Sequence, residues 1–168
     1  MDRFAARVWS LRIGAEQEYG AEVGALASAA QLEKVTEHVE DAIAKGARVL
    51  AGGKARPDLG PFFYEPTVLT DVTPDMALHR EETFGPVVAI YPVASMDDAV
   101  VEANDTEYGL NASVYCGDLG KGRKIAEQLM AGTVNVNDGY SSGWGSIDAP
   151  MGGMKASGVG RRHGRDGL

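Results

Sequence analysis

Cysteine occurs once in this chain, at Cys116, so no internal disulfide framework is possible and a reducing cytoplasm is expected. No uninterrupted run of about 18 apolar residues is present, and no membrane-spanning helix is expected. Met1-Asp2-Arg3-Phe4-Ala5 shows no basic region leading into an apolar stretch, so no signal peptide is visible. Positive charge is scarce: 16 Lys and Arg stand against 24 Asp and Glu, a net charge of −8. Nucleic acid is thereby disfavoured, because phosphate contacts need clustered basic side chains. The three histidines, His38, His79 and His163, lie far apart without metal-ligand spacing. These absences leave a soluble cytoplasmic domain with no disulfide, metal or nucleic-acid signature.

Glycine is in excess, at 22 of 168 residues, against a usual share of roughly 7%. Phe4, Val8 and Leu11 give an opening helical face with no capping lead-in, so the sequence reads as starting inside an element. Glycines 14, 20 and 24 mark a loop. Ser28 caps a helix predicted over about 29–45, with Leu32, Val35, Val39 and Ile43 on one face and Gly46 as a left-handed C-terminal cap. Arg48-Val49-Leu50 reads as a strand, and an extended stretch runs through Tyr64 to Leu69. Thr73-Pro74 predicts an N-cap and a short helix over Pro74–Leu78.

Val87 to Tyr91 is a nearly continuous apolar run, the mark of a strand covered on both faces. Ser95 and Asp98 form a capping box for a helix to about Asn104. A strand at Ala112–Tyr115, a helix at Asp118–Met130 and a strand at Thr133–Asn137 follow. Alternating strands and helices imply βαβ units, so the fold class is α/β with a mostly parallel sheet and flanking helices. No interdomain linker is visible. From Gly139 onward the chain is glycine-rich and irregular, and a connection this long is functional or disordered.

Glu81-Glu82-Thr83-Phe84-Gly85-Pro86 precedes the predicted strand. Paired carboxylates are ordinarily a solvated helix end. Here, however, Phe84 is wedged between a charge pair and a Gly-Pro bend, at a strand end where α/β sheets bind ligands. A carboxylate beside an aromatic ring could accept bonds from ribose hydroxyls while the ring packs on a nicotinamide. Gly158 to Gly164 has the wrong glycine spacing for a dinucleotide loop and follows a loop rather than a strand. Lys155 lacks Walker-type spacing. Cys116 sits at a strand end and reads as a small apolar residue.

The Glu81–Pro86 run occurs together with Ala103-Asn104-Asp105, Tyr108-Gly109-Leu110, Gly132 to Asn137, and Pro150 to Gly158. In that combination and order the chain resembles the C-terminal part of an aldehyde dehydrogenase catalytic domain, over essentially all of 1–168. The resemblance implies an incomplete Rossmann-like catalytic domain, with the cofactor domain, catalytic cysteine loop and C-terminal tail absent. It also implies oxidation of an aldehyde to a carboxylic acid with NAD or NADP as cofactor. The family's chemistry runs through thiolate attack, hydride transfer and thioester hydrolysis. Its nucleophile, general base and oxyanion asparagine match no residue of this chain, so no catalytic residue is assigned and the isolated chain is expected to be inactive.

Carried onto this sequence, the resemblance gives Glu82 to the nicotinamide ribose and Phe84 to the nicotinamide ring. Trp144, Ser146 and Met151 fall in the loop that walls the family's substrate tunnel. Ser142 to Arg162 looks most like the succinate-semialdehyde dehydrogenase branch, where a serine matching Ser146 holds the substrate's distal carboxylate. The expected partners are a small-molecule aldehyde and either a second copy of the enzyme or a missing N-terminal part, with no membrane. The rival reading is a non-catalytic paralogue or a partner-dependent subunit that associates with a complementary chain.

Overall fold

The computed structural model describes residues 1–16, 19–141 and 145–167. The chain forms two compact units, Met1–Pro92 and Val93–Leu168. Among the described residues, no helix is long and apolar enough to cross a membrane.

The first unit contains α1 (Asp2–Trp9), α2 (Ala29–Ala44), β1 (Arg48–Ala51), β2 (Thr67–Thr70), α3 (Ala77–Arg80) and β3 (Val87–Ile90). Its sheet has the order β1-β2-β3, antiparallel between β1 and β2 and parallel between β2 and β3. Successive strand residues point to opposite faces. Accordingly, Leu69 joins Val35, Val39 and Met76 in the core beneath α2, while Val68 meets Ala5 and Ala51 beneath α1. All four residues of β2 are buried. The strand covered on both faces is therefore β2. In β3, where that cover was expected, Val87 and Ala89 pack on the α2 core, whereas Val88 is 41% exposed.

Helix α2 starts as expected: the Ser28 hydroxyl accepts from the Gln31 amide at 3.2 Å, and Gly46 lies at φ +105° past its end. Its buried face is rotated from the expected one. Ile43 is exposed, and His38 joins Val35, Val39 and Ala42 among the buried residues. Helix α3 begins three residues later than expected. Thr73 and Asp75 make a turn, with the Met76 amide donating to the Thr73 carbonyl. Met76 provides no side-chain cap. Instead, Asp41 of α2 accepts from the Ala77 amide at 2.9 Å, so the cap that α3 requires comes from another helix.

The second unit contains α4 (Met96–Asn104), β4 (Tyr108–Gly109), β5 (Asn111–Val114), α5 (Leu119–Ala126), β6 (Thr133–Val136), β7 (Met154–Lys155) and a 3-10 turn at Arg165–Gly167. Ser95 caps α4 by accepting from the Asp98 amide at 3.1 Å, while the Asp98 carboxylate accepts from the Ser95 hydroxyl at 2.7 Å. Helix α5, capped by Asp118, ends at Ala126 rather than Met130. Strands β5 and β6 are parallel and joined through α5; β4 pairs antiparallel with β7. The α/β class holds, with a helix-containing parallel crossover in each unit. The strands lie in three small sheets, because the glycine-rich segment and β1 add antiparallel pairs to the parallel ones.

Candidate functional site

Residues 81–86 carry the chain from the end of α3 into β3. Phe84 has φ +50°, a left-handed conformation that costs a residue with a side chain roughly 1–2 kcal/mol. Contacts from α2 hold it there. Gln31 Nε2 donates to the carbonyls of Thr83 at 2.7 Å and Phe84 at 2.8 Å. His38 Nδ1 lies 3.0 Å from the Thr83 hydroxyl, and its Nε2 lies 3.5 Å from a Glu81 carboxylate oxygen. Gly85 rests on Val35 so closely that a Cβ there would collide with the valine side chain. The Pro86 carbonyl then accepts from the Thr67 amide at 2.7 Å, tying the bend to β2.

This fixed backbone presents an exposed Glu82 carboxylate and, two residues on, a Phe84 ring that is 74% exposed. An exposed carboxylate is an acceptor-only group, and an exposed aromatic face can stack on a flat ring. Both residues expected to face a cofactor, Glu82 and Phe84, are exposed on this loop. Gln31 and His38, which shape that loop, were not anticipated from the sequence. Their one sequence signal is the position of His38 within the apolar stripe, three residues after Val35.

Nearby, Asp41 bonds Lys45 at 2.7 Å as well as capping α3. The Lys45 ammonium, followed by the Ala77 amide, holds the Asp41 carboxyl below its ordinary range.

In the second unit the glycines serve close backbone packing. A Cβ on Gly132 would collide with the Gly152 carbonyl, and one on Gly153 would come within 2.6 Å of the Ser157 backbone. The Ser157 hydroxyl accepts from the Gly109 amide at 2.9 Å. Lys155 Nζ donates to the carbonyls of Asn104 and Thr106 at 2.9 and 3.0 Å, so this ammonium holds the loop. Asn137 bonds both the amide and the carbonyl of Cys116. The sequence motifs at 103–105, 108–110, 132–137 and 150–158 thus form one interlocked structure.

Of the residues expected around substrate, Trp144 lies outside the described residues. Ser146 is half-buried. Met151 is 3% exposed, paired with Arg162 through two backbone bonds of 2.7 Å. Its sulfur also accepts from the Arg162 guanidinium at 3.1 and 3.3 Å. An open hollow of about 940 Å³ beside this loop is lined by Ile147, Asp148, Pro150, His163 and Arg165 among others, with neither Ser146 nor Met151 in its wall.

Comparison with known proteins gives this geometry its context. The aldehyde dehydrogenase family pattern matches residues 1–168. A Mycobacterium tuberculosis (strain ATCC 25618 / H37Rv) protein named "Putative succinate-semialdehyde dehydrogenase [NADP(+)] 2" is 58% identical over 166 residues, which are 99% of this chain and 32% of that protein. The crystal structure of succinate-semialdehyde dehydrogenase from Burkholderia pseudomallei superposes with a TM-score of 0.89 at 45% identity, covering 99% of this chain and 34% of that one. A Mycobacterium tuberculosis aldehyde dehydrogenase complexed with NAD+ gives a TM-score of 0.87 at 38% identity, over 95% of this chain and 32% of that one. The chain therefore spans about a third of the length of these relatives. The match across every residue and the shared fold together mean that this chain belongs to the aldehyde dehydrogenase family.

Proposed function

We propose that these 168 residues are the C-terminal portion of a catalytic domain that oxidises succinate semialdehyde to a dicarboxylic acid with NAD(P)+, in the cytoplasm. The observation that carries the reading is the 81–86 loop. An exposed carboxylate and an exposed ring sit on a backbone clamped by α2, on the motif that the family shares. The residues fit the cofactor. Glu82 is suited to accept bonds from the two ribose hydroxyls, and Phe84 to pack against the nicotinamide side. The bound cofactor supplies the hydride acceptor.

Ser146 donates a hydrogen bond to the distal carboxylate of the substrate. Met151, buried against Arg162, belongs to the same substrate loop, and the family resemblance assigns Trp144 to it as well. Cys116, held at a strand end by Asn137, is not the nucleophile. The remaining two thirds of the length seen in the relatives would supply the nucleophile and its base. The relatives' names, one with NADP and one complex with NAD+, support NAD(P)+ without favouring either form.

The test is a Glu82→Gln variant in an enzyme completed with the parts of the mycobacterial relative that this chain does not cover. Loss of charge-assisted acceptors worth about 1.5–3 kcal/mol each should lower kcat tenfold or more. Unchanged kinetics in both cofactor and aldehyde would remove the cofactor role of this loop. A second reading, a non-catalytic subunit that needs a complementary chain or a second copy, draws support from exposed apolar side chains. Phe4, Trp9 and Val88 are 48%, 62% and 41% exposed, a surface that a partner would cover.

A further inference from the structure

We infer that His38 is a positioning residue for the cofactor-facing loop, acting through the Thr83 hydroxyl and the Glu81 carboxylate; this rests on the assignment of Glu82 and Phe84 to the cofactor. The His38 side chain is 7% exposed, and a buried imidazole requires partners for both nitrogens. Both partners come from one three-residue stretch: Thr83 Oγ1 at 3.0 Å from Nδ1 and Glu81 Oε2 at 3.5 Å from Nε2. These two residues flank Glu82, and Thr83 precedes Phe84. The imidazole therefore bridges across the residue that would bind ribose.

In the proposed arrangement the proton on Nε2 faces the Glu81 carboxylate, which accepts. Nδ1 then accepts, and the Thr83 hydroxyl donates to it. That orientation leaves the Thr83 carbonyl for Gln31, which also binds the Phe84 carbonyl. Gln31 and His38 lie two turns apart on α2, and the loop is held at two levels. Gln31 fixes the peptide planes, and His38 fixes the side chains on either side of Glu82. A histidine that merely filled space would place no demand on Thr83.

Ring-nitrogen NMR of the 168-residue chain separates the two. In the wild type the His38 ring should give the Nε2–H pattern. Thr83→Val, close in size but without the hydroxyl, should shift the ring toward a mixed tautomer. It should also move or broaden the signals of Glu82 to Gly85 and of the Gln31 side-chain amide. His38→Leu should disturb the same signals, and His38→Asn, which keeps a polar atom near the Nδ1 position, should recover most of them. In the completed enzyme, Thr83→Val should raise KM for the cofactor about two- to tenfold, the loss expected from one neutral hydrogen bond, with a smaller change in KM for aldehyde. A tautomer pattern and loop signals unmoved by Thr83→Val would overturn the inference, even if His38→Leu failed to fold. Should Thr83→Val disturb the loop while Glu82→Gln leaves cofactor kinetics unchanged, the positioning role stands and the cofactor assignment falls.

Discussion

The contact between Gly85 and Val35 offers a strict test of how the loop is built. Gly85 lacks a positive φ, so alanine there meets no backbone strain and any cost is steric. Its methyl group would be driven into the Val35 side chain, which is fully buried under the loop. Overpacking of this kind costs about 1–3 kcal/mol. Val35→Ala removes two methyl groups' worth of buried carbon, about 1.6 kcal/mol at 0.8 per group, plus a cavity term. In the double variant the new methyl at 85 would occupy part of that cavity, and the clash would vanish. The two losses should therefore fail to add, with a coupling of about 1–2 kcal/mol in favour of the double variant, within the range for residues in contact. Urea denaturation followed by circular dichroism measures all four corners of the cycle. Additivity within about 0.5 kcal/mol would mean that Gly85 is not set by Val35, and the account of a loop seated on α2 would be wrong.

Asp41 predicts an acid response. Its folded pKa is lowered by Lys45 and the Ala77 amide, so its contribution is present above the unfolded value of roughly 4 and lost as pH falls through the folded value. The stability gap between wild type and Asp41→Asn should shrink as urea melts are repeated below about pH 4; a gap that is constant from neutral pH to pH 2.5 contradicts the pairing. For Ser146→Ala in the completed enzyme, kcat/KM for succinate semialdehyde should fall roughly 10- to 150-fold while that for butanal holds. An equal fall for both substrates would leave Ser146 a loop-turning residue. Cys116→Ser should leave aldehyde oxidation unchanged in the same enzyme, and loss of turnover there would reverse the assignment of this thiol.

Signals confined to a few neighbouring residues were legible in the sequence. Ser28, Ser95 and Gly46 mark helix ends through atoms three residues away, and each does so in the structure. Thr73-Pro74 misled because a local cap was assumed where a distant one operates: Asp41 supplies it from 36 residues upstream, and no short window contains both partners. The Val87–Tyr91 run gave the strand but not its cover, since hydrophobicity says that a face is apolar and not which helix reaches it. Glu82 and Phe84 were legible as a motif. Gln31 and His38 were not, because polar side chains in an amphipathic helix carry no mark of what they touch. The closing glycines were visible as a composition, while their reason, backbone resting on backbone at Gly132 and Gly152, exists only in three dimensions.

One helix face therefore makes four of the contacts that shape the loop and its approach. Gln31, Val35, His38 and Asp41 recur along α2 at three- and four-residue intervals, each touching a different part of the segment from Ala77 to Gly85. Such a comb has a single meshing position. Sliding α2 by one turn would misalign all four teeth together, and a half-engaged state would satisfy none of them well. The loop and the helix are thus bound to order and to loosen as one body. A substitution buried in the hydrophobic seat of α2, far from any ligand, would be felt first at Phe84.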